Sequence, residues 1–185
     1  MNVVITGAHG ELGKRVLKAF TERGDTTLML PAGVDLSDTA GIDALDQLAR
    51  SVTPLDALVH LAGGYDGGKR IEDTDDAVFA KMMKTNFTTA VSAFRTVLPI
   101  MVRQRSGRIV AIAAEAARVP TSLAAAYAAS KAALYSLVQS VNAENNALGI
   151  HAVALTPRVL DTVAVRDQAA SEIVSFVHGL AASGA

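Results

Sequence analysis

Five short aliphatic segments, separated by longer stretches, limit this chain to few folds. Their apolar residues follow one another without polar alternation, which is the pattern of strands that are covered on both faces. The predicted strands are Val3–Thr6, Thr27–Leu30, Ala57–Leu61, Arg108–Ala113 and His151–Leu155. Helical segments fill most gaps and can supply the crossovers that parallel strands require. The sequence therefore predicts an α/β fold, a doubly wound parallel sheet with helices on both faces.

Apolar spacing and capping residues predict the first two helices. The first should run from Gly10 to Arg23, with its apolar residues on one side. Asp38 is expected to cap the second, which runs through Arg50. Between Leu30 and Asp35 there is almost no room for a crossover helix.

Two further helices are predicted in the second half of the chain. The segment from Ala77 to Arg103 has a long helical pattern that Pro99 should bend or end. Ser122 is expected to cap the helix after it.

Composition narrows the classes of function. A chain of 185 residues that is 50% hydrophobic should form one domain over residues 1–185. Its net charge of -1, with scattered basic residues, argues against nucleic-acid or anionic-membrane partners and favours a small-molecule substrate. With no cysteine and four dispersed histidines, neither a disulfide scaffold nor a metal site is expected. The absence of a leader pattern and of a membrane-length apolar stretch predicts a cytoplasmic protein.

Three spaced glycines follow the first predicted strand. Gly7, Gly10 and Gly13 stand in the segment Thr-Gly-Ala-His-Gly-Glu-Leu-Gly, directly before the first helix. Glycines allow a tight turn whose backbone N–H groups approach a pyrophosphate closely. Three glycines alone could belong to an ordinary loop, but their place between a buried strand and an amphipathic helix favours a dinucleotide site.

From this turn onwards the chain resembles the short-chain dehydrogenase/reductase family, whose first turn has Thr-Gly and two further spaced glycines. The resemblance implies a single Rossmann-like domain with an NAD(P)H cofactor. It assigns the cofactor to residues of the first turn: Gly7, His9, Gly10, Glu11, Leu12 and Gly13. No acidic or basic residue after Leu30 chooses between NAD and NADP, and His9, Lys14 and Arg15 are near enough in sequence to reach a phosphate. The choice between NAD and NADP stays open.

Three later segments also resemble cofactor-contacting parts of the family. Asp35 and Leu36 match a segment whose Asp bonds the adenine, although Asp35 is explained equally well as a turn residue or cap. Ala62, Gly63 and Gly64 resemble the Asn-Ala-Gly stretch, with Leu61 in place of Asn. The segment after the fifth strand resembles a loop that contacts the nicotinamide; it contains Pro157, Val159 and Thr162, of which Thr162 could instead cap the last helix.

Tyr127 and Lys131 match the family's Tyr-x-x-x-Lys motif. Four-residue spacing places them on one helix face. A phenol titrates near 10, so bringing its pKa near neutrality takes about 4 kcal/mol, which an adjacent ammonium and a cationic nicotinamide could supply. The resemblance makes Tyr127 the proton donor, Lys131 its partner that also contacts the cofactor, and Asn86 the holder of a relay water. A surface Tyr–Lys pair and an ordinary polar Asn are the alternatives.

The chain departs from the family at Ala114, where the family has its catalytic Ser. Loss of such a donor typically costs about a hundredfold in rate. Dihydropteridine reductases resemble the chain here, in the segment 62–68 and in Leu160-Asp161-Thr162, and this branch implies Tyr65 and Ala114 as substrate contacts. A quinonoid dihydropterin is then a candidate substrate. The alternative is a catalytically weakened dinucleotide-binding sensor or scaffold.

The family resemblance also implies assembly and an unfinished sheet. Members commonly form a homodimer or homotetramer through helices that correspond to Ala77–Arg103 and Leu123–Ala147, so either oligomer is expected. The sequence ends where members usually continue into another strand, so the last strand is expected to be missing.

Overall fold

A computed structural model describes residues 1–119, 121–158 and 162–179. Five strands form one sheet in the order β2-β1-β3-β4-β5, and every neighbouring pair is parallel. The strands are β1 (Asn2–Thr6), β2 (Thr26–Met29), β3 (Ala57–His60), β4 (Gly107–Ile112) and β5 (Ile150–Leu155). The predicted parallel sheet is confirmed, and each predicted strand end lies within one residue of the observed one.

Six α-helices accompany the sheet in the described part of the chain. They are α1 (Glu11–Glu22), α2 (Thr39–Arg50), α3 (Asp76–Met83), α4 (Thr89–Gln104), α5 (Ala125–Asn145) and α6 (Val163–Val177). The predicted cap of α2 is confirmed, because the Asp38 carboxylate accepts a hydrogen bond from the Gly41 N–H at 2.7 Å. The predicted absence of a helix directly after β2 is also confirmed, since α2 is the next helix.

The predicted long helical segment is confirmed, because residues 76–104 are helical throughout, whereas the expected Ser122 cap of α5 is wrong. A π-helical turn at Lys84–Thr88 divides the predicted long helix into α3 and α4, and α4 continues through Pro99 to its end at Gln104. Pro99 is exposed, so water can solvate the carbonyl that proline leaves without a donor. Ser122 does not cap α5, because Leu123, with φ of 59°, makes a left-handed turn before the helix begins at Ala125.

The sheet has a hydrophobic core on each face, as the unbroken apolar strands predict. On one face, Val3 and Ile5 of β1 pack in the core that α1 and α6 cover. On the other face, Val4 packs in the core formed with α2, α4 and α5. The strands that follow β1 in sequence, β2 and β3, lie on opposite sides of it in the sheet. At such a reversal of strand order a crevice opens at the carboxyl ends of β1 and β3, which is the usual ligand position in sheets of this kind.

None of the helices in the described ranges combines the length and the apolar character that a membrane crossing requires.

Candidate active site

The glycine turn between β1 and α1 is packed too closely for side chains. Gly7 has φ of +71°, and a Cβ there would lie 2.6 Å from the Ala62 nitrogen. A Cβ on Gly13 would lie 2.3 Å from the Gly7 carbonyl oxygen. Gly10 precedes α1 and supplies no side-chain cap, so the first N–H groups of that helix are available to an anion. This arrangement fits a phosphate cradle.

Two adjacent cavities flank this turn. The first, here the reactive cleft, has a volume of about 270 Å³. Its lining comprises Gly7, Gly10–Gly13, Leu61, Gly63–Tyr65, Ile112–Ala114, Tyr127, Lys131, Pro157 and Arg158. The second, here the β2 groove, has a volume of about 250 Å³. It is lined by Thr6, Gly7, His9, Leu30–Leu36, Ala62, Gly63, Thr85 and Thr89. Gly7 and Gly63 line both cavities, so one elongated ligand can occupy them together.

Tyr127 and Lys131 meet in the reactive cleft, on consecutive turns of α5. Lys131 is 5% exposed, and its ammonium donates to the Ile112 carbonyl at 2.7 Å. Burial lowers the pKa of Lys131 to about 8. Its Nζ atom lies 6.0 Å from the centre of the Tyr127 ring.

The chain by itself does not lower the pKa of the phenol. Burial, followed by the neighbouring Tyr65, raises the pKa of Tyr127. The Lys131 ammonium is directed to the Ile112 carbonyl and does not offset that burial. Tyr127 is therefore protonated at neutral pH, the form that a proton donor needs.

Asn86 lies in the π-helical turn and is fully buried. Its side-chain oxygen accepts from the Gly64 N–H at 2.8 Å, while its amide donates to the Gly64 carbonyl at 3.0 Å and to the Ser130 hydroxyl at 2.9 Å. The Ser130 hydroxyl in turn donates to the Tyr127 carbonyl. Asn86 thus ties the loop after β3 to the helix that carries the reactive pair, and its side chain is committed to these bonds.

Tyr65 forms the outer wall of the reactive cleft. Its ring meets the Tyr127 ring edge-to-face, with centres 4.9 Å apart, and the residue is 66% exposed. The glycines after it allow the loop to approach the turn before α5, where the Gly68 N–H donates to the Leu123 carbonyl at 2.7 Å. A Cβ on Gly67 would lie 2.7 Å from both that carbonyl and the Tyr65 hydroxyl. Two aromatic rings therefore border an open cleft.

Ala114 lies in the cleft with 6% exposure. Thr121 and Ser122, the next hydroxyl side chains along the chain, do not line it. Among the described residues, the hydroxyl side chains that line the cleft are those of Tyr65 and Tyr127. A substrate there meets phenols and no serine.

Several residues that the sequence assigns to the cofactor line the β2 groove. His9, Asp35, Leu36 and Ala62 line the β2 groove, and His9 is hydrogen-bonded through Nε2 to the Leu30 carbonyl at 3.0 Å. Hydrogen bonds from Ser37, together with nearby Lys84, lower the pKa of Asp35 to about 2. Asp35 is therefore both a turn residue and part of the groove.

The predicted cofactor residues in the segment after β5 differ in their positions relative to the reactive cleft. Pro157 lines the reactive cleft, whereas Thr162 lies at the start of α6, where its hydroxyl accepts from the Val165 N–H at 3.3 Å. Thr162 thus has the capping role that was its alternative. Val159 lies outside the described residues.

His60, the last residue of β3, is a buried polar residue beside the cleft that the sequence did not predict. Its ring is 1% exposed, with Nδ1 at 2.9 Å from the Thr6 hydroxyl. A polar residue that ends an otherwise aliphatic strand was the signal that could have found it.

Comparison with known proteins agrees with this geometry. Residues 1–173 match the short chain dehydrogenase family. A short chain dehydrogenase of Pseudocercospora fijiensis is 28% identical over 83% of this chain and 58% of its own length. Dehydrogenase/reductase SDR family member 7B of Danio rerio is 30% identical over 86% of this chain and 61% of its own length. The chain thus spans about three fifths of these relatives.

A solved structure, ElxO with NADP bound, has a TM-score of 0.83 at 20% identity, covering 93% of this chain and 79% of its own. That likeness concerns the fold. The match over residues 1–173 establishes that the chain belongs to the short chain dehydrogenase family.

Proposed function

We propose that this protein is an NAD(P)H-dependent reductase that acts on a small planar or carbonyl substrate, with Tyr127 as proton donor. The observation that carries the proposal is the meeting of the Tyr127 phenol and the buried Lys131 amine in one cleft with the glycine turn. A protonated phenol beside an open cavity can donate to a group that is being reduced.

The cavities fit a nicotinamide dinucleotide. The pyrophosphate would lie on the turn from Gly7 to Gly13, whose close backbone packing excludes side chains at Gly7 and Gly13, and the adenosine end would occupy the β2 groove. The nicotinamide end would lie in the reactive cleft between Gly63 and Lys131. When bound, this cofactor supplies a hydride. The ElxO structure, which holds NADP in the same fold, supports this assignment.

Three residues of the chain would have separate roles in the rest of the reaction. Tyr127 would give its proton to the substrate atom that needs one. Lys131 would orient the ribose and place positive charge near the phenolate that remains. Asn86 would hold the Ala62–Gly64 loop against the cofactor through its bonds to Gly64.

The cleft favours a substrate that needs little polarisation. Ala114 supplies no hydroxyl to stabilise an oxyanion, so a simple ketone would react slowly. An electron-poor conjugated ring accepts hydride with less help, and Tyr65 offers an aromatic surface beside Tyr127. Quinonoid dihydropterin is the candidate that meets these conditions.

The β2 groove bears on the choice of cofactor. Its one carboxylate among the described lining residues, Asp35, is paired with Lys84 at 3.1 Å. No acidic residue stands between Leu30 and Val34 to repel a 2′-phosphate or to bind a free 2′-hydroxyl. We expect NADPH to bind at least as tightly as NADH, which calorimetry with both cofactors measures.

The decisive experiment is turnover with NADH and NADPH, using quinonoid dihydropterin and a panel of ketones, in the wild type and in Tyr127→Phe. The phenol-to-phenyl change should reduce kcat by at least about a hundredfold while leaving dinucleotide affinity nearly unchanged. Unchanged activity in Tyr127→Phe would refute the mechanism. Binding of cofactor without turnover of any substrate would instead favour a sensor or scaffold, for which Ala114 is the supporting feature. The cytoplasmic location and the homodimer or homotetramer stay predictions.

A further inference from the structure

The buried histidine at the end of β3 has a polar atom that the fold does not satisfy. His60 is 1% exposed, and its Nδ1 lies 2.9 Å from the Thr6 hydroxyl. Its other ring nitrogen, Nε2, is buried and has no hydrogen-bond partner among the residues that the structure describes. Buried polar atoms are normally paired with protein or with an ordered water, so this nitrogen requires a partner.

The strand geometry places the Lys131 ammonium in front of the same strand end. The Ala113 N–H donates to Leu155 on β5, so the carbonyl of Ile112, one residue earlier, points to the opposite neighbour, β3. Lys131 donates to that carbonyl, and a Cβ on Gly63 would lie 3.2 Å from its Nζ. The ammonium therefore lies between the carboxyl ends of β3 and β4.

His60 is the last residue of β3, at this end of the strand. It shares with Leu58 the sheet face that α4 and α5 cover, and its ring meets Phe94 of α4 edge-to-face at 6.0 Å. Burial, and then the positive charge of Lys131, lower the pKa of His60 to about 3. The elements packed around it present Thr6 from β1, Phe94 from α4 and Lys131 from α5. The imidazole is therefore neutral, with one nitrogen available as an acceptor.

An ammonium group has three N–H donors, and the Ile112 carbonyl takes one. We propose that His60 is a positioning residue for Lys131: its Nδ1–H donates to Thr6, and its Nε2 accepts from the Lys131 ammonium through one buried water. Through this water the imidazole keeps the Lys131 amine protonated and holds the ammonium in place in the reactive cleft. An effect of His60 on turnover rests on the proposed function, in which Lys131 takes part. The water-mediated contact between His60 and Lys131 does not depend on that function.

Nuclear magnetic resonance of the whole protein, labelled at histidine nitrogens and at lysine Cε, tests the contact without any activity measurement. In the wild type, the His60 signals should show a proton on Nδ1 and none on Nε2 across pH 5 to 9, a range chosen to lie well above the pKa of about 3. The Lys131 signal should titrate near pH 8. A proton on Nε2 would overturn the proposal, and this result needs no variant.

Substitutions then test whether the acceptor acts on Lys131. His60→Leu should lower the midpoint of the Lys131 titration by about one pH unit, because a charged donor loses an acceptor. His60→Gln, which keeps an acceptor, should restore most of the wild-type midpoint. Val138→Ala, a core change two turns along α5, controls for destabilisation and should leave the midpoint unchanged. An unchanged midpoint in His60→Leu would refute the role.

Steady-state kinetics separates this proposal from the proposed function. If the enzyme is a reductase, the alkaline limb of kcat against pH should shift to lower pH in His60→Leu and recover in His60→Gln. If no substrate is turned over, the proposed function fails while the tautomer and the Lys131 titration still decide the role of His60.

Discussion

Replacement of Lys131 by Met should stabilise the protein while abolishing its proposed activity. Lys131 is 5% exposed, and burial lowers its pKa from 10.5 to about 8. Each pH unit corresponds to about 1.4 kcal/mol, so keeping this amine charged at pH 7 costs about 3 kcal/mol of folding free energy. Met fills a similar volume without charge. The Ile112 carbonyl loses its donor, which offsets about 1 kcal/mol, so a net gain of about 2 kcal/mol is expected.

Urea unfolding at pH 7 and at pH 10 measures this effect and its sign. Between pH 8 and 10.5 the unfolded chain retains the lysine proton that the folded protein has released, so wild-type stability should rise with pH across this window. Lys131→Met should lack that rise. Lys81 provides the control, because its side chain is 62% exposed and pairs with Asp66, so Lys81→Met should change stability by at most about 0.5 kcal/mol.

Two results would refute this reasoning. If Lys131→Met were clearly less stable than the wild type at pH 7, the buried charge would not be a cost. If both proteins gained the same stability between pH 7 and pH 10, the rise would not come from Lys131.

Three further predictions concern other parts of the site and the fold. Gly13→Ala should weaken dinucleotide binding at least about tenfold in calorimetry, because its Cβ would lie 2.3 Å from a backbone oxygen of the same turn, and an unchanged affinity would contradict this. Asn86→Ala should lower the free energy of unfolding by about 3 kcal/mol in urea titration, since three hydrogen bonds of a buried side chain, at about 1 kcal/mol each, are lost; a loss below about 1 kcal/mol would contradict this. Burial opposes the ionised form of Asp25, but hydrogen bonds from the amino terminus and His178 outweigh burial and lower the pKa of this carboxyl. The ionised carboxylate therefore stabilises the fold above about pH 4, and this stabilisation is lost as pH falls through the pKa of the folded state. Asp25→Asn should therefore cost about 2 kcal/mol at pH 7 and flatten the acid limb of a thermal-unfolding series, and an unchanged limb would argue against it.

Local pattern was enough to predict the sheet and the close glycine turn after β1. Uninterrupted aliphatic runs such as Val3–Ile5 need cover on both faces, and only a parallel sheet between helices supplies it. The spacing of Gly7, Gly10 and Gly13 after such a strand leaves few alternatives to a close turn. These features depend on neighbours in sequence, so the sequence carries them.

Features that depend on residues far apart in the chain needed the tertiary structure. The sequence placed Lys131 beside Tyr127 but could not show that its ammonium turns to the Ile112 carbonyl, which leaves the phenol with a raised pKa. It gave no sign that Asn86 is committed to Gly64, twenty-two residues away. Nor did it reveal that His60 is buried with a ring nitrogen that none of the described residues pairs with. Burial and long-range hydrogen bonds set the protonation state of each group, and both arise only when distant strands and helices pack together.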